Sequence, residues 1–128
     1  MNRTIAFLVV LASLVTGGCQ TETDEYFVKY SINSDHYQIG HKLNLTLNDV
    51  DNELNLIIDV NELVETTIGP VPYGFTASML AEDDGGGDTY ELYAEILVSK
   101  NGGPFTTKAI DGSEDDRSSV SLDYTIDF

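Results

Sequence analysis

Two histidines, His36 and His41, stand five positions apart, with Asp35 beside the first. Histidine is the commonest side-chain metal ligand and titrates near neutral pH. This spacing, with one adjacent acid, matches no zinc motif, and the pair reads as solvated loop residues. Carboxylates form three groups at turn-like stretches: Asp49/Asp51/Glu53, Glu82/Asp83/Asp84/Asp88 and Asp111/Glu114/Asp115/Asp116. Calcium takes roughly six to eight hard oxygens, which loops meeting at one end of a sandwich can supply. The first group opens Asp-x-Asp-x-Glu like an EF-hand loop. Leu54 occupies the position that needs glycine, however, and no acid closes the motif, so the EF-hand reading fails. A two-loop calcium site stays open as the alternative to charged turns that keep an acidic surface wet.

Nucleophilic chemistry finds little to work with. No serine lies in Gly-x-Ser-x-Gly, and the two histidines follow no triad pattern. No catalytic residue, resident metal or cofactor is expected, and the chain reads as a non-enzyme. The tyrosines Tyr26, Tyr30, Tyr90, Tyr93 and Tyr124 could form a ligand-binding aromatic face. Most share the parity of Val28, Leu92 and Ile126, which sends their rings inward. Tyr93 shares a face with Glu91 and Glu95 and is the aromatic expected to be exposed.

The 128 residues suit one domain, and 22 Asp+Glu against 6 Lys+Arg give a formal charge of −16. That balance repels phosphate backbones and anionic headgroups, excluding a nucleic-acid partner and a polybasic membrane patch. A single cysteine excludes an intramolecular disulfide and every cysteine-rich zinc site. The 41% hydrophobic content is too high for a wholly disordered chain.

The first residues have the order of a secretory signal. Arg3 precedes the uncharged run Ile5 to Val15, and the small residues Thr16-Gly17-Gly18 follow. A spanning helix needs about 20 apolar residues, more than this run provides. Gly17-Gly18-Cys19, with Thr16 where leucine is commonest, resembles the lipobox of bacterial lipoproteins. The resemblance implies acylation of Cys19, a signal over 1–18 and a mature chain that begins at Cys19. Two or more acyl chains anchor stably where one does not. The mature side chains then sum to 5 − 22 = −17 after loss of Arg3. Residues 19–25, containing Gln20-Thr21-Glu22-Thr23-Asp24-Glu25, form an acidic tether that resembles the surface-export signal of Bacteroidetes lipoproteins. The expected location is the outer membrane, lipid-anchored, on its periplasmic or cell-surface face.

Behind the tether, residues 26–128 alternate with period two between turns, the mark of half-buried strands. Tyr26, Val28, Tyr30 and Ile32 share a face. Leu43 to Asn48 and Leu54 to Val60 alternate around a polar loop and predict a hairpin. Asn61 to Glu65 is the one candidate helical turn. Pro70 and Pro72 place a strand containing Tyr73, Phe75, Ala77 and Met79 at a sheet edge or bend. Tyr90 to Val98 is the longest apolar stretch and reads as central; Phe105 to Ile110 and Val120 to Phe128 complete about seven strands. Each has one polar face, as a single antiparallel β-sandwich requires and a buried parallel sheet does not. The fold class is all-β.

Val28-Lys29-Tyr30-Ser31-Ile32, Leu45-Thr46-Leu47-Asn48-Asp49, Pro70-Val71-Pro72-Tyr73, Ala109-Ile110-Asp111-Gly112 and Ser121 to Ile126 occur in an order that resembles the small immunoglobulin-like lipoproteins of Bacteroidetes. More remotely, they resemble the mycobacterial MmpS-type domains. The chain departs from both in lacking tryptophan. The resemblance implies an immunoglobulin-like sandwich with a binding or accessory role at the outer membrane. The alternative is a calcium-dependent carbohydrate-binding or adhesion module that uses the acidic loops.

Overall fold

The computed structural model describes residues 23–38, 40–85 and 87–128. Cys19, the signal and the start of the tether lie outside the described residues. Eight strands follow in order: β1 Tyr26–Asp35, β2 Lys42–Asn48, β3 Glu53–Asp59, β4 Leu63–Val71, β5 Thr76–Asp83, β6 Glu91–Lys100, β7 Thr106–Gly112 and β8 Ser119–Thr125. They form two four-stranded antiparallel sheets, ordered β4-β1-β6-β7 and β3-β2-β5-β8. The two-layer antiparallel sandwich is as expected, while the immunoglobulin-like type is not confirmed by this strand order.

Alternation builds the core. Tyr26, Val28, Tyr30 and Ile32 from β1, Leu43, Leu45 and Leu47 from β2, and Leu92, Ala94, Ile96 and Val98 from β6 are all buried. They meet Ala77, Met79 and Ala81 of β5 between the sheets. β6 is central, as its apolar content predicts, and pairs with β1 from Tyr26↔Lys100 to Asp35↔Glu91. The β2–β3 hairpin also forms, with Leu43↔Ile58 and Leu47↔Leu54 in register. As a sheet edge, however, β3 leaves Leu56 and Ile57 exposed.

Three expectations need correction. Asn61 to Glu65 is no helical turn: Asn61 takes φ 65° in a tight turn and Leu63 opens β4. Asparagine tolerates that left-handed geometry better than most residues, and pairing with β1 decides the rest. This strand makes the count eight rather than about seven. Second, the proline-flanked strand divides. Pro70 lies in edge strand β4, where a missing N–H is harmless. β5 starts only at Thr76, and Tyr73, expected on one strand face with Phe75, Ala77 and Met79, sits 64% exposed in the connecting turn. Third, Phe128 was expected on the inward face of the last strand, but β8 ends at Thr125 and Phe128 is exposed.

The antiparallel course gives the sandwich two poles. β1 has 10 residues, which at ~3.4 Å each span about 30 Å. Its start lies beside the β6–β7 turn and its end beside the beginning of β6. Asp24 and Glu25, the last tether residues, are fixed at the first pole. Asn101 donates from Nδ2 to Asp24 Oδ1 (2.8 Å), the Glu25 amide donates to Asn101 Oδ1 (2.8 Å), and Lys100 Nζ lies 3.5 Å from Asp24 Oδ2. The Asn101 hydrogen bond, aided by Lys100, holds the Asp24 carboxyl below its usual range.

Candidate functional site

The opposite pole gathers the connections β1–β2, β3–β4, β5–β6 and β7–β8. It brings His36 and His41, from the first connection, against Asp88, from the third. One potential donor atom from each residue lies within 4.8 Å of the other two, and all three residues are half-buried. His41 Nδ1 is 2.7 Å from Asp88 Oδ2. The His36 and His41 rings lie 4.4 Å apart between centroids, and His36 lies 5.0 Å from the buried Tyr90 ring. The histidines are loop residues, as expected, but half-buried rather than fully solvated, covered in part by one another and by Tyr90. The acid that joins them is Asp88, far along the chain, whereas the neighbouring Asp35 is exposed at the end of β1.

Hydrogen bonds fix each member. The His36 amide donates to Asn61 Oδ1 (2.7 Å), and the Asn61 amide donates to the Ser34 carbonyl (3.0 Å), so the β3–β4 turn braces the end of β1. Gln38 contacts both rings. Its backbone amide and carbonyl lie 3.0 and 3.1 Å from His36 Nδ1, while its Oε1 lies 3.2 Å from His41 Nε2. Among the described residues, the hydrogen-bond partners of the two imidazoles are Gln38 and Asp88.

Asp83 organises the acidic loop. Its carboxylate accepts from the Gly87 amide (2.7 Å), the Asp88 amide (3.3 Å) and the Tyr90 hydroxyl (2.5 Å). Burial first, then these acids, push the Tyr90 phenol well above the ordinary tyrosine range. Gly40, Lys42 and Asp84 complete a small open groove over His41 and Asp88. A second groove joins His36 to Asp35, Glu91 and Asp116.

The acidic groups separate. The second surrounds the histidines, and the third reaches the same pole through Asp116. Within that third group Asp111 is paired with Arg117 at 3.0 Å. Asp49, Asp51 and Glu53 lie at the opposite pole in the β2–β3 turn, closed by an Asp49 amide to Asn52 carbonyl bond of 2.7 Å. The tyrosines give no continuous platform: Tyr26, Tyr30 and Tyr90 are buried and Tyr124 is half-buried. Tyr93 is exposed as expected, and its ring covers Gly112 on the neighbouring edge strand β7.

Two imidazoles and a carboxylate at this spacing can share a proton or hold a divalent ion through nitrogen and oxygen donors. No local spacing in the sequence signals this set, because its third member arrives through an inter-sheet connection. Compared with known protein families, curated proteins and solved structures, the chain matches none of them at significance.

Proposed function

We propose that this chain is a lipid-anchored extracytoplasmic β-sandwich with a non-enzymatic binding or accessory role, held at the outer membrane through Cys19. The observation that carries the reading is the polarity of the body. The chain enters the sandwich at the pole where Asp24 and Glu25 are fixed, while the histidine-bearing acidic loops stand about 30 Å away. An anchor on Cys19 would thus leave those loops pointing away from the bilayer. The cations support the same orientation. Of the five Lys and Arg behind the signal, Lys29, Lys100 and Lys108 lie over Phe105 and Phe128 on the anchored half.

Mass spectrometry of the membrane fraction tests the anchor. The expected product starts at acylated Cys19, and Cys19→Ser moves the protein into the soluble fraction. An unmodified chain that starts elsewhere, or a Cys19→Ser variant that stays with membranes, would overturn the reading.

A second reading, a calcium-dependent carbohydrate-binding or adhesion module, draws support from the second and third acidic groups sharing a pole. It predicts heat and a melting shift on titration with calcium. Absence of both at millimolar calcium eliminates it.

A further inference from the structure

We infer that His36, His41 and Asp88 bind a divalent transition-metal ion of the zinc class, and that this ion links two of the four connections crossing between the sheets at that pole. The inference concerns the sandwich body alone, so it stands or falls independently of acylation at Cys19.

The donor set selects the ion. Imidazole nitrogen suits zinc, nickel and copper and is a poor ligand for calcium or magnesium, which prefer oxygen throughout. Zinc binds imidazole and carboxylate at about 2.0–2.2 Å, and a tetrahedral shell with such bonds sets donors about 3.4 Å apart. The three donors lie within 4.8 Å of one another, and the His41–Asp88 contact of 2.7 Å must open to admit the ion, so side-chain adjustments of about 1 Å complete the shell. Three protein ligands leave a fourth position for water or a partner's donor.

The surroundings supply what metal-ligating histidines require, a hydrogen-bond partner for the second ring nitrogen. In the metal-free chain His41 Nδ1 faces Asp88 at 2.7 Å across a shared proton, while Nε2 lies 3.2 Å from Gln38 Oε1, its partner for donation. An ion there takes the place of the proton on Nδ1, and that proton is released to solvent. His36 Nδ1 faces both the Gln38 amide (3.0 Å) and the Gln38 carbonyl (3.1 Å); the tautomer that donates to the carbonyl leaves Nε2 for the ion. Asp83 holds the loop that carries Asp88 through the Gly87 and Asp88 amides. Together with Asp84 it adds negative field that favours a cation.

Position in the fold gives the ion a structural effect. His36 follows β1 of one sheet, and His41 precedes β2 of the other. Asp88 lies between β5 of the second sheet and β6 of the first. One ion therefore joins these two crossings just beyond the ends of the β1–β6 and β2–β5 ladders, at Asp35↔Glu91 and Leu43↔Asp83.

The test uses the full chain stripped with EDTA and titrated with zinc chloride, with calcium chloride in parallel, by calorimetry and thermal melting. The expected result is one zinc per chain with micromolar or tighter affinity. At a free concentration 100-fold above Kd the melting temperature should rise by on the order of 10 °C. His36→Ala, His41→Ala and Asp88→Asn should each weaken zinc binding at least about 10-fold, because each removes a ligand. Glu53→Gln, at the other pole, should leave it unchanged. If an alanine variant loses its cooperative melt, His36→Gln and His41→Gln replace it, read against the parent's metal-free melt. Cobalt(II) should give visible absorption typical of tetrahedral nitrogen and oxygen ligation. No saturable binding below millimolar zinc, equal affinity for calcium, or undiminished binding in the doubly substituted His36/His41 protein would each overturn the inference.

Discussion

Tyr30 offers a sharp test of how the two sheets are tied together. Its hydroxyl donates to both the backbone carbonyl (2.8 Å) and Oδ1 (2.6 Å) of Asn48. Asn48 Oδ1 also accepts from the Ser78 amide (2.5 Å), and its Nδ2 donates to the Thr76 carbonyl. One polar cluster thus connects β1 with β2 and β5 across the sandwich. Tyr30→Phe removes a single donor and leaves Asn48 its bonds to β5, so it should cost about 1 kcal/mol. For a domain of this size that is a fall of roughly 5 °C in Tm. Asn48→Ala removes the side-chain acceptor of two donors as well as the bond to Thr76, and should cost about 2–4 kcal/mol. Because the residues share one cluster, the double variant should fall short of the sum by about 1 kcal/mol.

Burial also pushes the Tyr30 phenol up to about 12 from its ordinary 10.0. A folded-state value above the unfolded one means the neutral hydroxyl is favoured on folding. Its stabilising contribution is whole below pH 10 and drains away as pH rises from 10 towards about 12. Guanidinium midpoints measured across that window should fall less steeply in Tyr30→Phe than in the parent, with Tyr90 contributing equally to both. Matching slopes and strictly additive substitutions would refute the proposed tie.

Leu45 is 2% exposed at the middle of the inner face of β2. Leu45→Ala should cost about 2–5 kcal/mol by urea denaturation, through lost burial and a cavity between the sheets. Gly69 takes φ 141°, and a Cβ there would meet Phe27 Cδ1 at 2.6 Å and the Tyr26 carbonyl at 3.0 Å. Gly69→Ala should therefore lower stability by about 1–3 kcal/mol in a thermal melt, an unchanged melt counting against the close approach.

The fold was legible where one physical signal dominated. Strict alternation from Leu43 to Asn48, interrupted by Asp49 to Asn52, could satisfy its backbone and bury leucine on one side only as one arm of a hairpin. The apolar density of Leu92 to Val98 likewise required a strand covered by neighbours. The signal failed at Leu63 to Thr67, where an edge strand buries little and its local sequence also suits a turn. It failed at Tyr73 because the chain reverses there, so parity no longer specifies a face. At the histidine-bearing pole the histidines and Asp88 were visible as residues but not as a set. Spacing rules compare neighbours along the chain, whereas these three meet only once both sheets have closed.

The connectivity also constrains when the body can assemble. β1 needs partners from β4 and β6, and Glu25 binds Asn101, 76 positions later. A chain emerging amino terminus first therefore presents Tyr26 to Ile32 as an apolar strand with neither lateral neighbour yet available. Only the β2–β3 and β6–β7 pairs join consecutive strands. Such late, non-local closure slows folding and prolongs exposure of sticky intermediates. Until β6 and β8 are free, the apolar faces of β1 and β5 each lack one of the two neighbours that the finished sheets give them.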